Sequence, residues 1–225
     1  IKTGGLDIWL EKLKKVTFHN KLGSQFERVE RIINLSEIIA KKIGCDPKLA
    51  KDAAYISKAD LSSEMVYEFP ELQGIMGTYY AKKAGYVASI ADTCKDHYAP
   101  LGPSDEVPGS PISTVVALAD KIDTLTNFWA IEEKPTGSKD PFALRRSALG
   151  MIRIIIENDI RISLSEILAM GNQNANIEDL KEFIYQRMKV FLREKELRHD
   201  IIDACLSIDK EDDLCPLYTS PSPRD

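Results

Sequence analysis

Positive charge is not in excess in this chain. Its 225 residues hold 30 lysines and arginines against 35 aspartates and glutamates, a formal net charge of -5. That excludes a strongly basic, sequence-blind nucleic-acid binder, although local basic clusters can still act. Cysteine is scarce. Cys45, Cys94, Cys205 and Cys215 stand far apart with no CxxC pair, which argues against a disulfide framework or a cysteine-rich zinc site and suits a reducing compartment. No apolar run approaches the roughly 20 residues needed to cross a bilayer, and no signal-peptide pattern is present. A cytoplasmic location with no membrane partner is therefore expected. No alternating run is long enough for a sheet, and the GxxxxGK[ST] order of a Walker A loop is missing. Histidine occurs three times. His19 and His97 read as packing or hydrogen-bonding residues, and His199-Asp200 as the close of a basic helix.

What is present is helical text. An apolar fraction of 44% is ordinary for a globular chain, and the length allows one or two domains. Phe26, Val29, Ile32, Ile33, Ile39 and Ile43 recur at three- and four-residue steps and predict an amphipathic helix ended by Gly44. Asp46-Pro47 predicts the next helix, with Asp46 as N-cap and proline in the first position, over residues 48–56. Further helices are expected over 87–98, 112–129, from Asp140-Pro141 through Ile156, from the Ser163-Leu164-Ser165-Glu166 capping box, and over 177–197. The Pro- and Gly-rich residues 100–111 must form a loop. The fold class is all-α. The chain opens on Ile1 rather than Met, so it is expected to be part of something longer. Residues 215–225 break with the helical text and read as a disordered or foreign tail.

Four polar stretches could carry chemistry. Ser57-Lys58-Ala59-Asp60-Leu61, running on through Glu68-Phe69-Pro70 to Gly74, Gly77 and Tyr79-Tyr80, lacks a clean helical stripe. It reads as recognition or a packing crossover, or as a loop with short helical turns, with Gly74 and Gly77 permitting close backbone approach. Asp120 and Asp123 stand one turn apart and could hold a metal, but with Lys121 between them the favoured reading is a solvated edge. Lys134, Lys139, Arg145 and Arg146 surround a Gly- and hydroxyl-bearing loop at a helix start, a reasonable phosphate site. Arginines there oppose the helix dipole, which suggests either an anionic partner or a buried ion pair. The last helix has a basic surface that includes Arg187 and Arg193, either solvated or following an RNA backbone.

The apolar helix, the residues leading to Ser57, and Val116-Ala117-Leu118-Ala119-Asp120-Lys121-Ile122-Asp123 resemble an HD-type helical domain, which binds divalent metal for phosphoester hydrolysis. Asp120 matches its late Asp. Its His-Asp pair is replaced by Ser57-Lys58, and Gln25 falls near its first His, with His19 slightly upstream. A lysine in place of a ligand carboxylate repels a metal, so no metal site is expected.

A closer resemblance is to the β subunit of bacterial heterotetrameric glycyl-tRNA synthetase. It rests on Phe18-His19-Asn20-Lys21-Leu22-Gly23, Ser57-Lys58-Ala59-Asp60-Leu61, Glu68-Phe69-Pro70-Glu71-Leu72-Gln73-Gly74-Ile75-Met76-Gly77 and residues 134–146, and extends over 10–214. One departure is Thr78, where a basic residue is expected. The resemblance implies an HD-like multi-helix domain over 1–170, the start of a helical anticodon-binding domain over 171–214, and a tail over 215–225. It also implies a required but non-catalytic part of an aminoacyl-tRNA synthetase that positions tRNA(Gly) for an α-subunit partner. ATP and Mg would be used by that partner, with no cofactor on this chain and no DNA partner. Lys134, Lys139, Arg145, Arg146, Arg187 and Arg193 would contact the RNA. The alternatives are a metal-dependent HD-type phosphohydrolase and a structural helical docking module.

Overall fold

Residues 5–194 are described by the computed structural model. Lys195, Arg198, His199-Asp200, the part of 171–214 beyond 194 and the tail lie outside the described residues. Contacts cluster into two compact units, one reaching to Asp123 and the other beginning at Thr124.

In the first unit, α1 (Asp7–Leu13) leads to a small antiparallel hairpin, β1 (Thr17–His19) and β2 (Gly23–Ser24). Its strands are too short to carry an alternating pattern, so the sequence concealed it. The chain then enters α2 (Gln25–Ile43) through a full capping box: Ser24 accepts from the Glu27 amide, and the Glu27 carboxylate accepts from Ser24. Gly44, at φ 75°, ends the helix as its spacing predicts. The stripe of α2 buries Val29, Ile32 and Ile39 completely, each contributing roughly 1.5–3 kcal/mol of gross burial energy. It packs on α3 (Pro47–Ile56), which Asp46 caps through the amides of Lys48 and Leu49.

After α3 the central stretch breaks into a short 3-10 turn (Ala59–Ser62), α4 (Glu64–Glu68), a second 3-10 turn (Pro70–Leu72) and α5 (Ile75–Lys83). The expected helix over 87–98 is two pieces, α6 (Ala88–Ala91) and α7 (Thr93–Asp96). Thr93 Oγ1 donates to the Ser89 carbonyl at 3.1 Å, a back-bond that competes with the helical ladder and bends it. After a loop comes α8 (Pro111–Ala130), which runs on into the second unit.

The second unit takes the last turns of α8, then α9 (Leu144–Glu157), α10 (Leu164–Ala169) and α11 (Ile177–Glu194). Its core includes Leu144, Met151, Ile152, Leu164, Leu180, Ile184 and Met188. Gly171 is required by packing: a Cβ there would stand 2.3 Å from Thr126 Oγ1. The regular structure of the described residues is thus helical apart from one short hairpin, an all-α class. No helix among them is long and apolar enough to cross a membrane.

Candidate functional site

The densest chemistry in the first unit lies under α8, around Asp120. The sequence favoured a solvated edge for Asp120 and Asp123, and the structure corrects this: Asp120 is 8% exposed and Asp123 fully buried. The reason is that the polar residues of α8 here are as buried as the apolar ones, a helix enclosed on every side. Buried carboxylates need cations, and three approach. Arg28 Nη2 meets Asp120 Oδ1 at 3.0 Å. Arg31, one turn further along α2, meets both Asp123 oxygens at 2.6 and 3.4 Å. Lys58, just past the end of α3, places its ammonium 2.9 Å from Asp120 Oδ1. Lys121 turns away and donates to the Ala99 carbonyl at 2.8 Å.

His97 completes the cluster. Its Nδ1 lies 2.9 Å from the Thr93 carbonyl, which can only accept, so Nδ1 carries the proton. Its Nε2 is left as an acceptor for the Lys58 ammonium at 3.0 Å. Burial, then the nearby Lys58 charge, holds the imidazole neutral with its pKa well below the usual value. Burial also lowers the Lys58 pKa, opposed chiefly by Asp120. Burial alone would raise Asp120, but Arg28 and Lys58 outweigh it and hold the carboxyl well below the usual range. The Tyr98 ring covers Lys58 at 4.6 Å, and the Phe18 ring covers Arg28 at 4.2 Å.

Asp120 and His97 therefore converge on an internal ammonium at hydrogen-bond distance, where a metal would require ligand bonds of roughly 2.0–2.2 Å. Among the described residues no group of three or more His, Cys, Asp or Glu is gathered to hold a metal. Sequence reasoning singled out Asp120 and Lys58 and read His97 as a packing or hydrogen-bonding residue, which it is, but missed Arg28 and Arg31 as the partners of Asp120 and Asp123. The one available signal was a lysine set directly behind the apolar run Ala53-Ala54-Tyr55-Ile56.

Asp60, also in the central stretch, is buried and accepts from the Gly74 and Gly77 amides at 2.6 and 3.0 Å. It closes the open N-terminus of α5 from outside the helix. The packing-crossover reading of this stretch fits these contacts.

All six expected RNA-contacting residues fall in the second unit, in different situations. Lys134 is tied up: its ammonium bonds Glu132 at 2.7 Å and Asp179 at 3.0 Å, contacts that raise its pKa, Glu132 first. Asp179 also accepts from Trp129 Nε1 at 2.6 Å, so Lys134 staples the loop before α9 to α11. Arg145 donates to the Gly137 carbonyl at 2.7 Å and the Lys139 carbonyl at 3.5 Å. It braces the loop through backbone carbonyls and does not form the buried ion pair that was one of the two expectations. Lys139 and Arg146 are exposed. On α11, Arg187 is half-buried, 6.0 Å from the Phe183 ring, with a buried Nε that makes no hydrogen bond. Arg193 is exposed near the end of that helix. Lys139 and Arg145 are brought together by the loop.

At the start of α9, where a phosphate site is expected, two of the amides are taken by the protein itself. Asp140 accepts from the Leu144 and Arg145 amides at 2.8 and 2.9 Å. The helix begins at Leu144 and not at Pro141, because Ala143 takes a left-handed conformation at φ 53°. Asp140 still caps, from across a turn.

Residues 2–207 match the family model described as glycyl-tRNA synthetase beta subunit. The chain is 59% identical over 210 residues to the glycine–tRNA ligase beta subunit of Ruegeria sp. (strain TM1040), covering 93% of this chain and 31% of that protein. It is 56% identical over 210 residues to the protein of the same name from Paracoccus denitrificans (strain Pd 1222), again 93% and 31%. With the same-named protein of Dinoroseobacter shibae the identity is 51% over 249 residues, 95% of this chain and 35% of that protein. The chain spans about a third of the length of these relatives. The chain belongs to the glycyl-tRNA synthetase beta subunit family.

Proposed function

We propose that this chain is a tRNA-handling section of the β subunit of a cytoplasmic glycine–tRNA ligase. The observation that carries the reading is the match to the family model over residues 2–207. In this reading an α subunit activates glycine with ATP and Mg, and residues of this chain hold tRNA(Gly) so that its acceptor end reaches that site. Residues 1–170 are read as the HD-like domain, and residues from 171 as the start of the anticodon-binding domain. Exposed Lys139, Arg146 and Arg193 contact phosphates. Lys134 and Arg145 shape the loop that presents them, and Arg187 lines the flank of α11. The phosphohydrolase alternative is disfavoured because the Lys58 ammonium fills the place between Asp120 and His97.

The test is glycylation of tRNA by purified α subunit with full-length β, wild type against Lys139→Ala/Arg146→Ala. Both residues are exposed, so the fold should survive. Loss of two charge-assisted phosphate contacts should lower kcat/KM for tRNA by roughly tenfold or more, with α–β assembly intact. An unchanged kcat/KM would remove these two residues from the RNA interface. Failure of wild-type β to support glycylation would remove the reading itself.

A further inference from the structure

The first unit contains a cleft of about 800 Å³ between the turn before α5 and the loop that follows α7. Its wall is held in place from behind by the buried cluster. The Tyr98 ring rests against the Lys58 ammonium, the Ala99 carbonyl is held by Lys121, and Asp96 accepts from Ser113 Oγ at 3.0 Å. Asp105 folds the loop tip by accepting from the Leu101 and Gly102 amides at 2.9 and 2.8 Å. Such a wall is ready-made, so an occupant does not have to order it. The surface it offers is apolar with an acidic edge. Ile75 and Leu101 are 39% and 55% exposed, and Glu71 and Glu106 stand exposed beside them. Among the described residues lining the cleft, the one cation is Lys95.

We propose that this cleft seats another segment of the same β-subunit polypeptide, outside residues 1–225, in which an apolar side chain is flanked by lysine or arginine. The proposal rests on the reading of this chain as part of a longer β subunit. Charge selects the class of occupant: carboxylates at the rim repel a phosphate backbone and attract cations, while Ile75 and Leu101 take the apolar side chain. Size selects the source. Thirteen residues line the cleft, against the roughly 20–30 a side of a stable interface between separate proteins. So small a seat holds a tethered segment, whose effective concentration is high, better than a free partner. The relatives are about three times as long as this chain, so much of the polypeptide is available to supply it.

Hydrogen exchange on full-length β, alone, tests this with Glu71→Lys/Glu106→Lys and, separately, Leu101→Asp. All three positions are exposed, so neither variant disturbs the core. The expected result is severalfold faster exchange in both variants at residues 99–109 and at one Lys/Arg-bearing segment outside residues 1–225. Changes confined to the mutated loops would overturn the proposal. Protection of the cleft that arises only on adding α subunit would move the occupant to the partner, and protection only with tRNA would make it RNA; either outcome also overturns it. Glycylation by the same wild-type sample with α subunit reports separately on the proposed function, so either reading can fail alone.

Discussion

Lys58 shows how one side chain can redirect a site. Its ammonium satisfies Asp120 and His97 together, and Arg28 supplies a second cation to the same carboxylate. Removing the two ends of this pair should therefore have unequal effects. Asp120→Asn leaves Lys58 buried without its counter-charge and Arg28 with only its longer contact to Asp123 at 3.6 Å, and should cost roughly 3–5 kcal/mol. Lys58→Met keeps the volume and leaves Asp120 paired with Arg28, so it should cost clearly less. Urea unfolding of both variants measures this, and an equal or reversed order would refute the account. Lys121 makes a different prediction. Burial pushes its ammonium down to about 8, below the value it has in the unfolded chain. Between that pH and the ordinary lysine range, the unfolded state binds more protons than the folded state, so stability rises with pH, by about 3 kcal/mol at most from this group. Below about pH 8 the penalty is constant. Wild type should gain on Lys121→Met between about pH 7 and pH 9.5 in urea unfolding; parallel curves would assign the titration elsewhere. At this scale the sequence was only partly legible. A lysine where the HD-type pattern carries a metal ligand is visible in the text, but its partners are not. Arg28 and Arg31 read as the polar flank of an amphipathic helix until α8 is laid over them.

Elements were legible where local chemistry sets their ends. Asp46 with Pro47, Gly44, and Ser163 all cap by contacts within a few residues, and those boundaries were read directly from the spacing; the Ser24–Glu27 box is as local but was not singled out. Other boundaries were hidden for local reasons: the start of α9 moved because Ala143 takes a left-handed conformation, and the hairpin at residues 17–24 was too short to announce itself. The start of α5 lies between these cases. Gly74 and Gly77 signalled close approach, but the group approaching, Asp60, comes from another turn of the chain. A Cβ on Gly74 would sit 2.6 Å from the Cys94 carbonyl oxygen, at φ +78°. A Cβ on Gly77 would sit 2.9 Å from Cys94 Cβ and 3.1 Å from Asp60 Cγ. Both neighbours are fixed, so Gly74→Ala should destabilise by more than about 1 kcal/mol, through the left-handed backbone and the clash with the Cys94 carbonyl together. Gly85→Ala is the control, with positive φ but open space around it, and should cost less. Thermal unfolding of the two variants compares them; a Gly85→Ala loss as large as that of Gly74→Ala would mean backbone conformation alone matters.

For the whole molecule, a net charge of -5 sets the terms on which a polyanion can bind. Attraction must come from cations that are not already spent on the protein's own carboxylates. Lys134 is spent on Glu132 and Asp179, whereas Lys139 and Arg146 are exposed. The salt dependence of tRNA affinity separates these two kinds of lysine and arginine, because each phosphate neutralised steepens the plot of log affinity against log salt by roughly 0.7–0.9. Lys139→Ala/Arg146→Ala in full-length β should flatten that slope by between about one and two. Lys134→Ala should leave the slope unchanged while loosening the loop it staples, seen as faster hydrogen exchange over residues 131–143. The reverse pattern, a flatter slope from Lys134→Ala and none from the double variant, would mean that RNA displaces Glu132 and Asp179 from Lys134. The intramolecular ion pair would then be a resting state that tRNA opens.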